Sequence, residues 1–127
     1  MKKITLMALF LMLISIFMSG CKSSTNENIF DAAKLDPKHY KVEFENDKVR
    51  VLRIKYGPGE KSVMHDHSEG VVVILNDQKA KFTQPNGESF TGSPKAGTVF
   101  WSKATRHLPE NIGSDTTEVI QIELKTN

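Results

Sequence analysis

His65-Asp66-His67-Ser68-Glu69-Gly70-Val71-Val72-Val73-Ile74-Leu75 is the stretch whose pattern decides the fold. On an extended strand, histidines at i and i+2 share one face and leave Met64 and Asp66 on the other. Two neutral imidazoles side by side are the start of a metal site, because both can offer a nitrogen lone pair to one point. The apolar run from Val71 to Leu75 then has the composition of a strand covered on both faces.

Working outward, the pattern stays β. Upstream, Val42 and Phe44 alternate with charged residues. Arg50, Leu52, Ile54 and Tyr56 interleave with Val49, Val51, Arg53 and Lys55, so both faces of that strand are partly apolar. Tyr56-Gly57-Pro58-Gly59 breaks the run. Downstream, Asn76-Asp77 turns the chain into a strand from Lys79 to Thr83. Pro85-Asn86-Gly87 is a hairpin signal, and Ser89 to Thr91 returns from it. Pro94 to Gly97 turns into a strand from Thr98 to Trp101, and Asn111 to Asp115 turns once more. Ile120, Ile122 and Leu124 alternate with Gln121 and Glu123 in a final strand. Ile29 to Leu35 has room for one or two helical turns, stopped before Pro37. About eight or nine short strands with regular turn signals predict an all-β sandwich or barrel. Phe82, Phe90, Phe100 and Trp101 are expected in the barrel core, and Gly59, Gly87 and Gly97 at backbone turns. Pairing two copies would cover a sheet edge, so a homodimer is an expected partner state.

Gly59 precedes His65 with five residues between, and the apolar strand follows. Some 40 residues later, Pro94-Lys95-Ala96-Gly97 leads through Phe100 and Trp101 to His107, with Asn111 four residues on. With these residues the chain resembles the cupin superfamily over about Val42 to Leu124. The resemblance implies a single-domain, jelly-roll β-barrel with His65, His67 and His107 as metal ligands. It also implies a fourth ligand, a glutamate, at 71 or 72, where this sequence has Val71 and Val72. Three histidines alone leave a dication uncompensated, which shifts preference from hard ions such as Mn²⁺ toward Zn²⁺, Fe²⁺, Cu²⁺ or Ni²⁺. Glu69 and Glu110 are the candidate substitute ligands. Asn111 is the candidate residue that holds the His107 loop from behind. His39 matches no motif and is expected at the surface. A degenerate barrel whose histidines line a polar pocket without metal is the alternative.

The chain begins Met1-Lys2-Lys3, followed by apolar residues from Ile4 to Met18 and then Ser19-Gly20-Cys21. Two lysines and a short apolar run are the pattern of a secretory signal. The run is shorter than the 18 or so residues of a spanning helix. Small residues before Cys21, the one cysteine of the chain, resemble the lipobox of bacterial lipoproteins. That resemblance implies removal of residues 1–20, lipid on Cys21, and attachment to the cell envelope. Lys22, in place of an inner-membrane retention aspartate, favours the outer membrane where there is one. A plain signal peptide with a chance cysteine is the alternative. Lys22 to Asn28 contains no apolar residue, as a tether would. The expected organisation is therefore a signal peptide over 1–20, a lipidated Cys21 and tether over 21–36, and one barrel domain over 37–127.

The intact chain has 17 basic and 15 acidic residues, and Lys2 and Lys3 leave with the signal. The remainder is balanced, so charge provides no case for nucleic acid. The expected partners are a small-molecule ligand and the membrane that holds the lipid. Two functions stay open. One is an enzyme, dioxygenase- or isomerase-like, using a divalent transition metal (Fe, Zn, Mn, Ni or Cu). The other is a non-catalytic module that binds a small ligand or metal at the envelope.

Overall fold

The computed structural model describes residues 28–126. The expected signal peptide, Cys21 and the first part of the tether lie outside the described residues. The chain runs α1 (Ala32–Leu35), β1 (Tyr40–Glu45), β2 (Val49–Tyr56), β3 (His65–His67), β4 (Gly70–Ile74), β5 (Ala80–Thr83), β6 (Ser89–Gly92), β7 (Val99–Ser102), β8 (Thr105–Asn111) and β9 (Thr117–Leu124). These strands form two antiparallel sheets, in the orders β1-β2-β9-β4-β7 and β3-β8-β5-β6. Side chains of both sheets line one cavity between them. The strand count predicted a sandwich or barrel, and the architecture is the jelly-roll β-barrel that the resemblance implied.

The hairpins form for local reasons. Between β1 and β2, the Asn46 side-chain oxygen accepts from the backbone N–H of Lys48 and of Val49, at 2.8 and 2.9 Å. An Asx turn of this kind replaces the missing ladder bonds. Gly59, Gly87 and Gly97 all have positive φ, at 72°, 86° and 82°, which side-chain-bearing residues rarely adopt. Gly87 sits in the β5–β6 hairpin that Pro85-Asn86-Gly87 announces. β8 is the strand that alternation does not show, because Pro109 stands in its middle. The proline is tolerated there because its neighbour on one side is the loop at Ser62, whose N–H bonds the Pro109 carbonyl at 3.0 Å.

The core is Ala32, Tyr40, Leu52, Ile54 and Tyr56, with Ala33 and Val119 packed against it. Residues 28–36, grouped with the tether by sequence, are partly built into this body. Ala32 has no exposed surface. Asp31 caps α1 by accepting from the Lys34 N–H and forms an ion pair with Arg50. Phe30 and Asp31 lie along β3, with the Phe30 carbonyl accepting from the Asp66 N–H at 2.7 Å.

Two expectations about faces are corrected. His39 is buried, not at the surface. It stacks on Tyr56 at 4.3 Å between ring centroids, and its ring nitrogens lie 2.7 Å from Asp36 and 3.2 Å from Glu60. Polar partners on both edges let an aromatic slab of this size enter a core. Phe90, Phe100 and Trp101 are each about half exposed and not core. β6 and β7 are the edge strands of their sheets, so nothing covers these rings from one side.

In β9, Gln121 and Glu123 face the barrel interior, while Ile120 and Ile122 are half-buried on the outside and Leu124 is exposed. Alternation marks two faces of a strand, and here the polar face is the inner one.

Candidate metal centre

β3 and β8 pair so that His65 stands directly opposite His107. His67 shares the face of His65, two residues along. One nitrogen from each of the three rings lies within 4.8 Å of the others. The ring planes are steeply inclined to one another, at 88°, 89° and 72°, with centroids 4.8 to 5.4 Å apart. The three rings thus converge on one point from three directions.

The hydrogen bonds behind the rings decide which nitrogens face forward. His67 Nδ1 lies 2.6 Å from Glu123 Oε1. A carboxylate oxygen accepts, so Nδ1 carries the proton and donates. His65 Nδ1 lies 2.8 Å from the Val63 carbonyl oxygen, so it too donates. Ser62 Oγ, 3.3 Å from the same nitrogen, is itself turned to Asp36 Oδ2 at 2.5 Å. Both rings therefore turn Nε2 inward, and the two Nε2 atoms are 3.0 Å apart. His107 makes no hydrogen bond among the described residues and meets the other rings and Phe82 through its faces and edges.

Burial, together with the neighbouring His67, pushes the His65 imidazole down to about 4. Burial, with His67 and His65 beside it, pushes His107 down to about 3. At neutral pH these two rings are uncharged, which is the form that binds a metal. Nitrogens that share one ion as ligands at about 2.1 Å stand no more than about 4.2 Å apart. The observed spacing falls within this, so the donor set fits a divalent transition metal.

Behind His67 a line of paired charges runs to the protein edge. Glu123 Oε2 accepts from Arg50 Nε and Nη2 at 2.7 and 2.6 Å, and Arg50 Nη1 pairs with Asp31. Glu123 is 2% exposed. Such a partner behind a ligating histidine fixes its tautomer and raises its basicity. Glu123 is the functional residue the sequence did not single out. Its one signal is the polar member of an alternating strand placed opposite Arg50 in β2.

The other candidates are not brought to the histidines. Glu69 is exposed and engages through its backbone carbonyl, which accepts from the Leu124 N–H. Glu110 is three residues from His107 on one strand, so its side chain leaves from the opposite face and approaches Lys81 at 3.9 Å. Asn111 is buried and holds the loop after β8. Its amide nitrogen reaches the carbonyls of Tyr56, Gly57 and Asp115 at 2.8 to 3.1 Å, and its oxygen accepts from the Gly113 N–H. It touches none of the three histidines. Val72 faces inward and Val71 outward, so neither replaces a carboxylate. Cys21 lies outside the described residues.

Solved structures share the architecture. A cupin domain from Bordetella pertussis superposes with a TM-score of 0.63 at 25% identity, over 68% of this chain and 92% of its own. A cupin superfamily protein from Desulfitobacterium hafniense superposes at 0.51 with 16% identity, over 68% and 76%. An RmlC-like cupin from Methanocaldococcus jannaschii, described as a double-stranded β-helix, superposes at 0.53 with 18% identity, over 67% and 77%. No protein-family model and no curated protein sequence matches this one. The fold is the cupin double-stranded β-helix, and it carries a three-histidine cluster compatible with a divalent metal.

Proposed function

We propose that this chain is an envelope-anchored cupin-fold protein in which His65, His67 and His107 hold one divalent transition metal that binds a small molecule in the barrel. The observation that carries this is the tautomer arrangement. Glu123 and the Val63 carbonyl hold the protons of His67 and His65 at Nδ1, so both Nε2 atoms are turned toward His107 as donors. Three neutral donors favour Zn²⁺, Fe²⁺, Ni²⁺ or Cu²⁺ over harder ions. Glu123 offsets part of the metal's charge from behind His67. When bound, such an ion supplies Lewis acidity, or redox chemistry if it is iron or copper. Dioxygenase- or isomerase-like chemistry is the proposed reaction class.

A second reading, a non-catalytic binding module, is favoured by one observation. Glu123 is fully engaged by Arg50 and His67, and Glu110 turns away from the histidines. Glu110 borders the cavity but approaches Lys81, so no carboxylate among the described residues is both free and in contact with the histidines.

The N-terminal sequence supports lipid attachment at Cys21 and membrane localisation. Pairing with a second copy is supported by an apolar row across the outer face of the five-stranded sheet. Phe44, Val51, Ile122, Val71 and Trp101 stand in register there, with Phe44 and Trp101 about half exposed.

The test is elemental analysis of protein purified without chelator or affinity metal, beside a His65→Ala, His67→Ala variant. About one transition metal per chain, lost in the variant, is the expected result. Failure to bind Fe²⁺, Zn²⁺, Mn²⁺, Ni²⁺ or Cu²⁺ after reconstitution ends the metal reading.

A further inference from the structure

The barrel encloses a cavity of about 550 Å³ in contact with the histidines. Its two walls differ. On the four-stranded sheet, His107, Phe82 and Phe90 lie on neighbouring strands. Their rings follow one another at 5.3 Å between His107 and Phe82 and again at 5.3 Å between Phe82 and Phe90, so an aromatic surface runs from the metal centre to the mouth. The five-stranded sheet opposes it with Ile54, Val72 and Val119 at its middle, flanked by Tyr40 and Tyr56 on one side and Phe100 and Trp101 on the other. Facing sheets stand about 10 Å apart, which leaves room for one flat ring system between the two walls.

Gln121 is the polar side chain set between these aliphatic ones. It is 5% exposed and borders the cavity. Its cross-strand neighbours are Leu52 and Val72. Its side-chain amide makes no hydrogen bond among the described residues and is not sealed from solvent. The other buried amide and hydroxyl on the cavity wall, Asn111 and Thr117, bond backbone carbonyls. The amide is therefore open to the cavity, where a group that enters can bond it without displacing a protein partner. Gln121 lies two residues along β9 from Glu123, hence about 7 Å from the residue that touches His67.

We infer that the cavity takes a flat aromatic molecule with a chelating pair of oxygens at the histidine end and a further hydrogen-bonding group on its ring system that Gln121 reads. This rests on the metal reading above for the chelating end alone. The slot and the amide stand without it. A polyol or sugar fits poorly between the ring stack and the aliphatic side chains, which offer its hydroxyls no partners.

The probes are 2,3-dihydroxynaphthalene, its 2,3,6-trihydroxy analogue and gluconate, a chelator without a ring. Each is titrated calorimetrically into zinc-loaded and metal-free protein, wild type and Gln121→Leu. In the wild type the naphthalenes should bind and gluconate should not compete, with the third hydroxyl improving affinity about tenfold. Gln121→Leu should erase that tenfold preference and leave dihydroxynaphthalene binding unchanged. Ligand-free Gln121→Leu should melt no lower than the wild type, because leucine suits the site between Leu52 and Val72. Equal affinity for the two naphthalenes, a preference retained in Gln121→Leu, gluconate binding as well as the rings, or a marked fall in melting temperature each overturns the inference. If zinc fails to load, the metal-free titration still tests slot and amide, and the metal reading is decided by reconstitution with the other ions.

Discussion

Replacing Glu123 by glutamine changes one atom and removes the charge between Arg50 and His67. In the wild type one carboxylate oxygen accepts from Arg50 twice and the other accepts from His67 Nδ1–H. A glutamine has one acceptor and one N–H₂ donor. If the oxygen serves Arg50, the N–H₂ faces His67 Nδ1, which must then accept. The ring proton moves to Nε2, the atom that faces the other histidines, and blocks it as a ligand. If the oxygen serves His67, the N–H₂ faces the Arg50 guanidinium and the arginine keeps Asp31 as its sole anionic partner. Either arrangement weakens the site. Loss of a partner behind a ligating histidine lowers metal affinity about 10- to 100-fold, or about 1.4 to 2.7 kcal/mol. The metal-free variant should also lose about 2 kcal/mol of stability, because an interior ion pair has been broken from one side. For a domain of this size that lowers Tm by roughly 10 °C. Competition against a chromophoric zinc chelator measures the first quantity and thermal melting the second. Zinc affinity of Glu123→Gln within threefold of wild type, in a preparation where His67→Ala abolishes binding, would refute the reasoning.

Three further outcomes are expected. Gly70→Ala places a Cβ 1.8 Å from the Ile122 carbonyl oxygen, a clash with strand backbone that cannot rotate away; a loss of at least about 3 kcal/mol in urea melts is expected, and a loss under 1 kcal/mol contradicts it. In the metal-free protein, folded His65 and His107 take protons at about 4 and about 3, whereas the unfolded chain takes them near 6.5. Stability is therefore full above about pH 6.5 and declines as pH falls through the window to about 3; equal denaturation midpoints at pH 7.5 and 4.5 would contradict this. Asn111→Ala strips a buried amide from three carbonyls and should cost about 2 to 3 kcal/mol while leaving metal stoichiometry unchanged, which calorimetry and elemental analysis check together.

Much of the architecture was legible because strands announce themselves twice, by alternation and by the turns between them. Pro85-Asn86-Gly87 and Pro94 to Gly97 lie where the chain reverses, and Gly87 and Gly97 have the positive φ that those turns require. β8 was harder to see, since Pro109 interrupts its pattern and its place depends on β3 and β5, which are distant in sequence. His65 and His67 could be paired from their spacing alone. Joining His107 to them needed a resemblance, because a cross-strand register is not written in local sequence. Glu123 and Gln121 were hidden for a different reason. In a barrel that encloses a site, the inner face of a strand can be the polar one, and the usual inference from hydropathy to burial runs backwards. Glu69 and Glu110 drew notice by being near in sequence, but Glu110 has the wrong parity along β8 and Glu69 lies past the end of β3, in the turn before β4.

The inverted faces of β9 bear on how the chain finds its register. A one-residue slip of β9 against β2 would carry Ile120, Ile122 and Leu124 into the barrel and expel Gln121 and Glu123 to water. Hydrophobicity alone favours that mispaired state, so the native pairing competes with a decoy that has the greasier interior. The slip would leave Arg50 without Glu123 and His67 without its acceptor, both inside the protein, where isolated charge and unpaired N–H are most costly. The contacts that orient the histidines thus also act as a checksum on folding. A variant in which Arg50 and Glu123 are both made aliphatic would keep a packed barrel and lose the error check, and misregistered or aggregating chains would be its signature.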